Sequence, residues 1–103
     1  MAGKDRRSHF ILNMQQTISI TVNGKVQGVF YRQSAREKAR ELGLAGHVQN
    51  MPDGSVHILA TGPREKLDQL ISWCHQGPPR SRVTSVNITD LPYQEFNGFH
   101  IRS

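Results

Sequence analysis

Residues 24–32 read Gly24-Lys25-Val26-Gln27-Gly28-Val29-Phe30-Tyr31-Arg32. Before them, Thr17 to Asn23 alternates apolar Ile18, Ile20 and Val22 with Thr17, Ser19 and Thr21, the two-residue period of a half-buried strand. After them, Tyr31 to Leu42 sets Tyr31, Ala35, Ala39 and Leu42 on one face at helical spacing. The stretch is therefore a strand-to-helix join. Its glycines let several successive N–H groups point into one concavity, and a helix starting there adds unpaired N–H groups and the positive end of its dipole. Arg32 supplies a rigid fork of donors suited to phosphate or carboxylate. Two readings fit: a cradle for a small oxyanion, and an ordinary strand–turn–helix connection. Gly-Lys-Ser/Thr and Gly-x-Gly-x-x-Gly are both absent, so this is neither a Walker loop nor a dinucleotide fingerprint.

Further along, Gly43 offers a left-handed stop to the first helix, and Leu44 is the apolar residue that often follows one. Arg36, Glu37, Lys38, Arg40 and Glu41 read as its solvated faces. Leu44 to Asn50 is a short second strand, Pro52-Asp53-Gly54 a turn, and Ser55 to Thr61 a third strand with Val56, Ile58 and Ala60 on one side. Gly62-Pro63 opens a second helix whose stripe is Leu67, Leu70, Ile71 and Cys74, with Trp73 shielding its boundary. Gly77-Pro78-Pro79 ends it. Val83 to Thr89 alternates again, with Thr84, Val86 and Ile88 on one side, and Phe99 and Ile101 suggest a short last strand. This order predicts an α+β fold of the ferredoxin-like βαββαβ kind: an antiparallel sheet with two helices on one face, plus a short C-terminal strand.

A chain of 103 residues, 36% hydrophobic, is expected to be one domain with one core. No apolar run approaches the roughly 20 residues of a membrane helix, and Met1 to Asn13 lacks a signal-peptide core. The expectation is a soluble, cytoplasmic protein, with residues 1–13 a disordered leader or a cloning remnant and residues 14–103 the domain. Cys74 is the only cysteine, which rules out an internal disulfide, and its place on a helical stripe reads as packing. The net charge of +5 favours anionic partners in general without choosing one, and Lys4, Arg6 and Arg7 of the leader carry part of it. His47 and His57 can face each other across the hairpin, but zinc needs three or four ligands and no third is placed. His9, His75 and His100 read as surface residues, and Arg80 and Arg82 as solvated or as reaching the anion site.

Asn50 closes the second strand 18 positions after Arg32. Its amide both donates and accepts, so it can hold a water and touch a phosphoryl oxygen; it can equally be a turn-forming residue. Gly24-x-Val26-Gln27-Gly28-Val29-x-Tyr31-Arg32, followed by Gly46-x-Val48-x-Asn50-x-x-Asp53-Gly54-Ser55-Val56, resembles the acylphosphatase family. The resemblance spans roughly residues 16–103 and includes the Gly77-Pro78-Pro79-Arg80 break. It implies that Arg32 binds the substrate phosphate, that Asn50 orients the attacking water, and that Gln27, Gly28, Val29, Phe30, Tyr31 and Arg32 donate backbone N–H groups. In one departure, His47 stands where the family usually has an aromatic residue.

The implied reaction is metal-independent hydrolysis of acyl phosphates, small-molecule mixed anhydrides, to carboxylate and inorganic phosphate, with no cofactor. Their leaving group is already stable as an anion, so no general acid is required, and a loose phosphoryl-transfer transition state asks little of the nucleophile. The protein need only hold the equatorial oxygens and align a water. Phosphomonoesters, with poor alkoxide leaving groups, should react far more slowly. One rival is a nucleic-acid-binding module of similar fold, but the stacking aromatics of such sheets are absent. Another is a module binding acyl or carbamoyl phosphate for a larger maturation enzyme. The expectation is a monomer with neither a nucleic-acid nor a membrane partner.

Overall fold

A computed structural model describes residues 14–103 of the chain; the expected leader, residues 1–13, lies outside the described residues. The alternation around Ile18 becomes β1 (Gln15–Lys25), in which Ile18, Ile20 and Val22 are fully buried. Helix α1 (Tyr31–Glu41) buries Tyr31, Ala35 and Ala39 at the predicted spacing. Strands β2 (Ala45–Asn50) and β3 (Val56–Pro63) form the hairpin, and α2 (Arg64–Gln76) buries Leu67, Leu70 and Cys74. Strands β4 (Arg82–Leu91) and β5 (Phe99–Arg102) complete the chain.

The sheet order is β4-β1-β3-β2-β5. Neighbours are antiparallel except β5, which runs parallel to β2 with Val48 beside Ile101. The sheet is therefore mixed, because the connection from β4 carries the chain across to the far edge before β5 starts. Both helices contribute to one core with Ile18, Ile20, Val22, Val48, Val56, Ile58 and Phe99. Burying a side chain of this size contributes about 1.5–3 kcal/mol. On the other face, Thr17 and Thr61 are opposite each other in register, and their hydroxyls lie 2.6 Å apart. Thr61 Oγ1 donates to the Gln94 carbonyl at 2.9 Å, and the Gln94 amide donates to Thr17 Oγ1 at 2.8 Å. These bonds satisfy two buried hydroxyls and pin the crossover to β5.

One expected facing is corrected. The sequence pattern puts Thr84 on one side with Val86 and Ile88, but in the structure Val83 takes its place beside Val86. Asn23 opposes Ser85 while Gly24 opposes Val83, so Thr84 is the extra residue of a bulge. Val83 and Val86 pack on the core, and Thr84 is exposed. Gly24 permits this with φ 124°, its missing Cβ leaving room for the Arg82 carbonyl and the Thr84 nitrogen. The bulge lies just before the glycine loop, where β1 hands over to α1.

Candidate active site

The loop between β1 and α1 owes its shape to two left-handed residues, Gly28 at φ 74° and Phe30 at φ 65°. Residues of this kind curl the backbone so that successive N–H groups gather on one side. A left-handed phenylalanine costs about 1–2 kcal/mol. Phe30 is 64% exposed, so packing of its own side chain cannot be what holds it there. The buried neighbours Val29 and Tyr31 can, since both are anchored in the core. The Tyr31 ring packs 5.2 Å from Trp73, and its hydroxyl donates to the Cys74 carbonyl at 2.8 Å.

Helix α1 therefore starts from a strained residue with no side-chain cap and no acidic residue in its first turn. Its opening bond runs from the Ser34 amide to the Phe30 carbonyl at 3.1 Å. The N–H groups of Tyr31, Arg32 and Gln33 precede any helical acceptor and remain available at the positive end of the dipole. All three residues line a pocket of about 180 Å³, together with Val26, Gly28, Phe30 and Asn50.

Asn50 reaches this pocket because it shares the helix-facing side of β2 with Val48 and pairs with buried Val56 at the strand's end. Its Oδ1 is buried and has no hydrogen-bond partner among the described residues. Such an atom costs about 1–3 kcal/mol when nothing answers it. Half-buried Arg32 has one protein acceptor among the described residues, the Arg102 carbonyl at 3.4 Å, so most of its fork is uncommitted. An acceptor without a partner among the described residues, a guanidinium with most of its fork uncommitted and the start of a helix thus border one small cavity. That combination suits a tetrahedral oxyanion next to a water.

Of the residues singled out from the sequence, Gly28, Phe30, Tyr31, Arg32 and Asn50 line the pocket together. Val29 turns its side chain into the core, and Gln27 turns its own toward the β2–β3 turn. Val26 and Gln33 are lining residues that sequence reasoning missed; Gln33 carries no signal beyond its place after Arg32. Arg80 and Arg82 are exposed and outside the lining. The two histidines are not directly opposed: His47 pairs with Leu59, and His57 with Gln49. Both have pKa values below the ordinary imidazole value, chiefly through burial; for His47 the Arg102 guanidinium and then His57 add to it. His47, the departure from the family pattern, sets its ring edge-on to Phe96 at 5.9 Å. Among the described residues, no three His, Cys, Asp or Glu side chains gather as a metal site would require.

A profile of the family described as Acylphosphatase matches residues 18–101. The chain is 53% identical over 81 residues to an acylphosphatase of Marinobacter nauticus, covering 78% of this chain and 88% of that one. The solved acylphosphatase of Coxiella burnetii superposes with a TM-score of 0.83 at 41% identity, covering 85% of this chain and 93% of that one. The crystal structure of the Bacillus subtilis acylphosphatase gives a TM-score of 0.83 at 36% identity, over 87% of this chain and all 100% of the other. With the profile spanning most of its length and relatives this similar over nearly their full extent, the chain belongs to the acylphosphatase family.

Proposed function

We propose that this chain hydrolyses acyl phosphates by gripping the phosphoryl group with Arg32 and the amides of residues 27–32 while Asn50 aims the attacking water. Membership of the family supports the reaction itself. The observation that carries the residue assignment is the buried Oδ1 of Asn50, without a partner among the described residues, on the same pocket as Arg32.

In this scheme Asn50 Oδ1 accepts a hydrogen bond from the water, whose oxygen is turned toward phosphorus. The P–O bond to the acyl group breaks, its electron pair leaves with the carboxylate, and the water's proton passes to a phosphoryl oxygen. Charge developing on the equatorial oxygens meets Arg32 and the loop amides, preorganised donors that need no rearrangement. Because the leaving group needs no proton, neither a general acid nor a metal is part of the scheme. The substrate is a small acyl phosphate. The lone buried Cys74 suits the cytoplasm, and among the described residues the large exposed hydrophobics are Met14, Phe30, Ile88 and Tyr93, few enough to suit a monomer.

The test is hydrolysis of benzoyl phosphate by the parent, Arg32→Ala and Asn50→Ala, with p-nitrophenyl phosphate for comparison. Removing one charged or transition-state hydrogen bond of this kind lowers the rate by roughly 10²–10³-fold, and both variants should show such a loss. Full turnover by either would remove that residue from the scheme, and EDTA-sensitive activity restored by a divalent ion would overturn its chemistry.

A further inference from the structure

The side chain of Gln27 starts in the glycine loop and ends in the β2–β3 turn. Its Nε2 donates to the Met51 carbonyl at 2.9 Å and to the Ser55 carbonyl at 2.8 Å, which uses both hydrogens of the amide. These two carbonyls are the ones that close the turn: the Met51 amide donates to the Ser55 carbonyl at 2.8 Å, and the Gly54 amide to the Met51 carbonyl at 3.1 Å. Gln27 thus takes the second lone pair of each. Met51 is the residue next to Asn50.

We propose that the Gln27 side chain is a positioning residue that sets the reach of Asn50 into the pocket by clamping the β2–β3 turn to the phosphate loop. The inference rests on the reading in which Asn50 orients the attacking water. Since Asn50 Oδ1 has no partner among the described residues, its aim comes from the backbone that carries it. That backbone ends in a turn, the part of a hairpin with the least pairing to hold it. Asp53 stiffens the turn from within, its Oδ1 accepting from the Ser55 amide at 3.0 Å and the Ser55 hydroxyl at 2.6 Å. Stiffness alone leaves the distance between the turn and the cradle free, and Gln27 is the side chain that spans it.

A structural prop and a positioning clamp predict different kinetics. Without the Gln27 amide each carbonyl keeps its backbone partner, so the turn itself survives. The grip on phosphate, which uses Arg32 and main-chain amides, is also intact. What changes is the alignment of water with the P–O bond, and a displacement near 1 Å there costs about 10²-fold in rate. Substitution should therefore appear in kcat and leave ground-state binding nearly alone.

The experiment measures kcat and KM for benzoyl phosphate, and competitive inhibition by inorganic phosphate, in Gln27→Met, Asn50→Ala and the double variant, with melting temperatures alongside. Methionine keeps the length and removes the donors. The expected result is a kcat lowered about 10-fold or more, with KM and phosphate inhibition within about threefold, and no further loss when Gln27→Met is added to Asn50→Ala. If Gln27→Met is unfolded at the assay temperature, Gln27→Asn carries the same expectation, since its amide is one methylene too short to reach both carbonyls. Parental kcat in a folded Gln27 variant, or losses that multiply in the double variant, would overturn the clamp while leaving the function reading in place. Parental kcat in Asn50→Ala would strike that reading, and the clamp with it.

Discussion

The hydroxyl of Tyr31 and the carbonyl of Cys74 join the first turn of α1 to the last turn of α2 through a buried 2.8 Å hydrogen bond. Tyr31 follows directly on left-handed Phe30, so the bond moors the end of the glycine loop to the opposite helix. Gly77 leaves space for the ring, since a Cβ there would meet Tyr31 Cε2 at 2.8 Å. Removing the hydroxyl leaves a buried carbonyl short of a partner, which costs about 1–3 kcal/mol. Tyr31→Phe is therefore expected to lower the melting temperature by several degrees, at roughly 4–8 °C per kcal/mol for a domain of this size. Unfolding curves of the two proteins that coincide would contradict this.

Cys74 is fully buried, and burial pushes its thiol up to about 12, with the Tyr31 hydroxyl acting in the opposite sense. Only the thiolate reacts with alkylating agents. At pH 8 iodoacetamide should label the native protein far more slowly than the protein in guanidinium. Equal labelling rates in the two conditions would show that Cys74 is accessible.

Gly46 has φ 144°, and a Cβ there would run into the carbonyl oxygen of Leu59 on the neighbouring strand. Gly46→Ala must push β2 away from β3, the strand pairing that also carries Asn50. Strain of this sort costs about 1–3 kcal/mol, so the urea midpoint should fall and turnover fall with it. A variant matching the parent in both would show that β2 yields without consequence.

Folded-state pKa values of His47 and His57 lie below the ordinary value of about 6.5. Between the lowered and ordinary values the unfolded chain holds more protons than the folded one, so stability rises with pH there. Equivalently, it is intact above pH 6.5 and declines as the pH falls from that point toward the folded pKa values. The melting temperature should follow this course. In His47→Gln/His57→Gln the slope over that interval should flatten; an unchanged slope would assign the titration to other groups.

Arg32→Lys keeps the charge and removes the planar fork. Losing a charged hydrogen bond of about 1.5–3 kcal/mol corresponds to roughly 10- to 100-fold in kcat/KM. Weaker inhibition by inorganic phosphate should accompany it. A lysine variant with parental kinetics would mean that Arg32 acts as a point charge alone.

Part of the site was legible as local chemistry: Gly28 and the helix expected from Tyr31 announced the loop and set Arg32 beside it, whereas Asn50 read equally as a turn residue and drew its role from the family resemblance. The Gln27 clamp was not legible. A glutamine between valine and glycine carries no sign of acceptors 24 and 28 residues away, because those carbonyls belong to main chain, which has no residue signature. The β4 bulge was hidden for a related reason: alternation predicts a face only while register holds, and a glycine on the partner strand broke it at Gly24.

By itself, then, the sequence determined the element types and order and the core stripes, since these follow from side-chain periodicity and local turn chemistry; it singled out Arg32 and Asn50 only through the two motifs that resemble the family. Tertiary structure alone decided that β5 lies parallel beside β2, that Val83 rather than Thr84 packs with Val86 on the core, and that Asn50 Oδ1 is buried on the Arg32 pocket without a partner among the described residues. Those outcomes depend on strand register and on hydrogen bonds between backbone groups far apart in the chain. Hydrophobic alternation does not show where the pairing slips or which backbone groups meet, because the N–H and C=O that make those bonds are the same in every residue but proline.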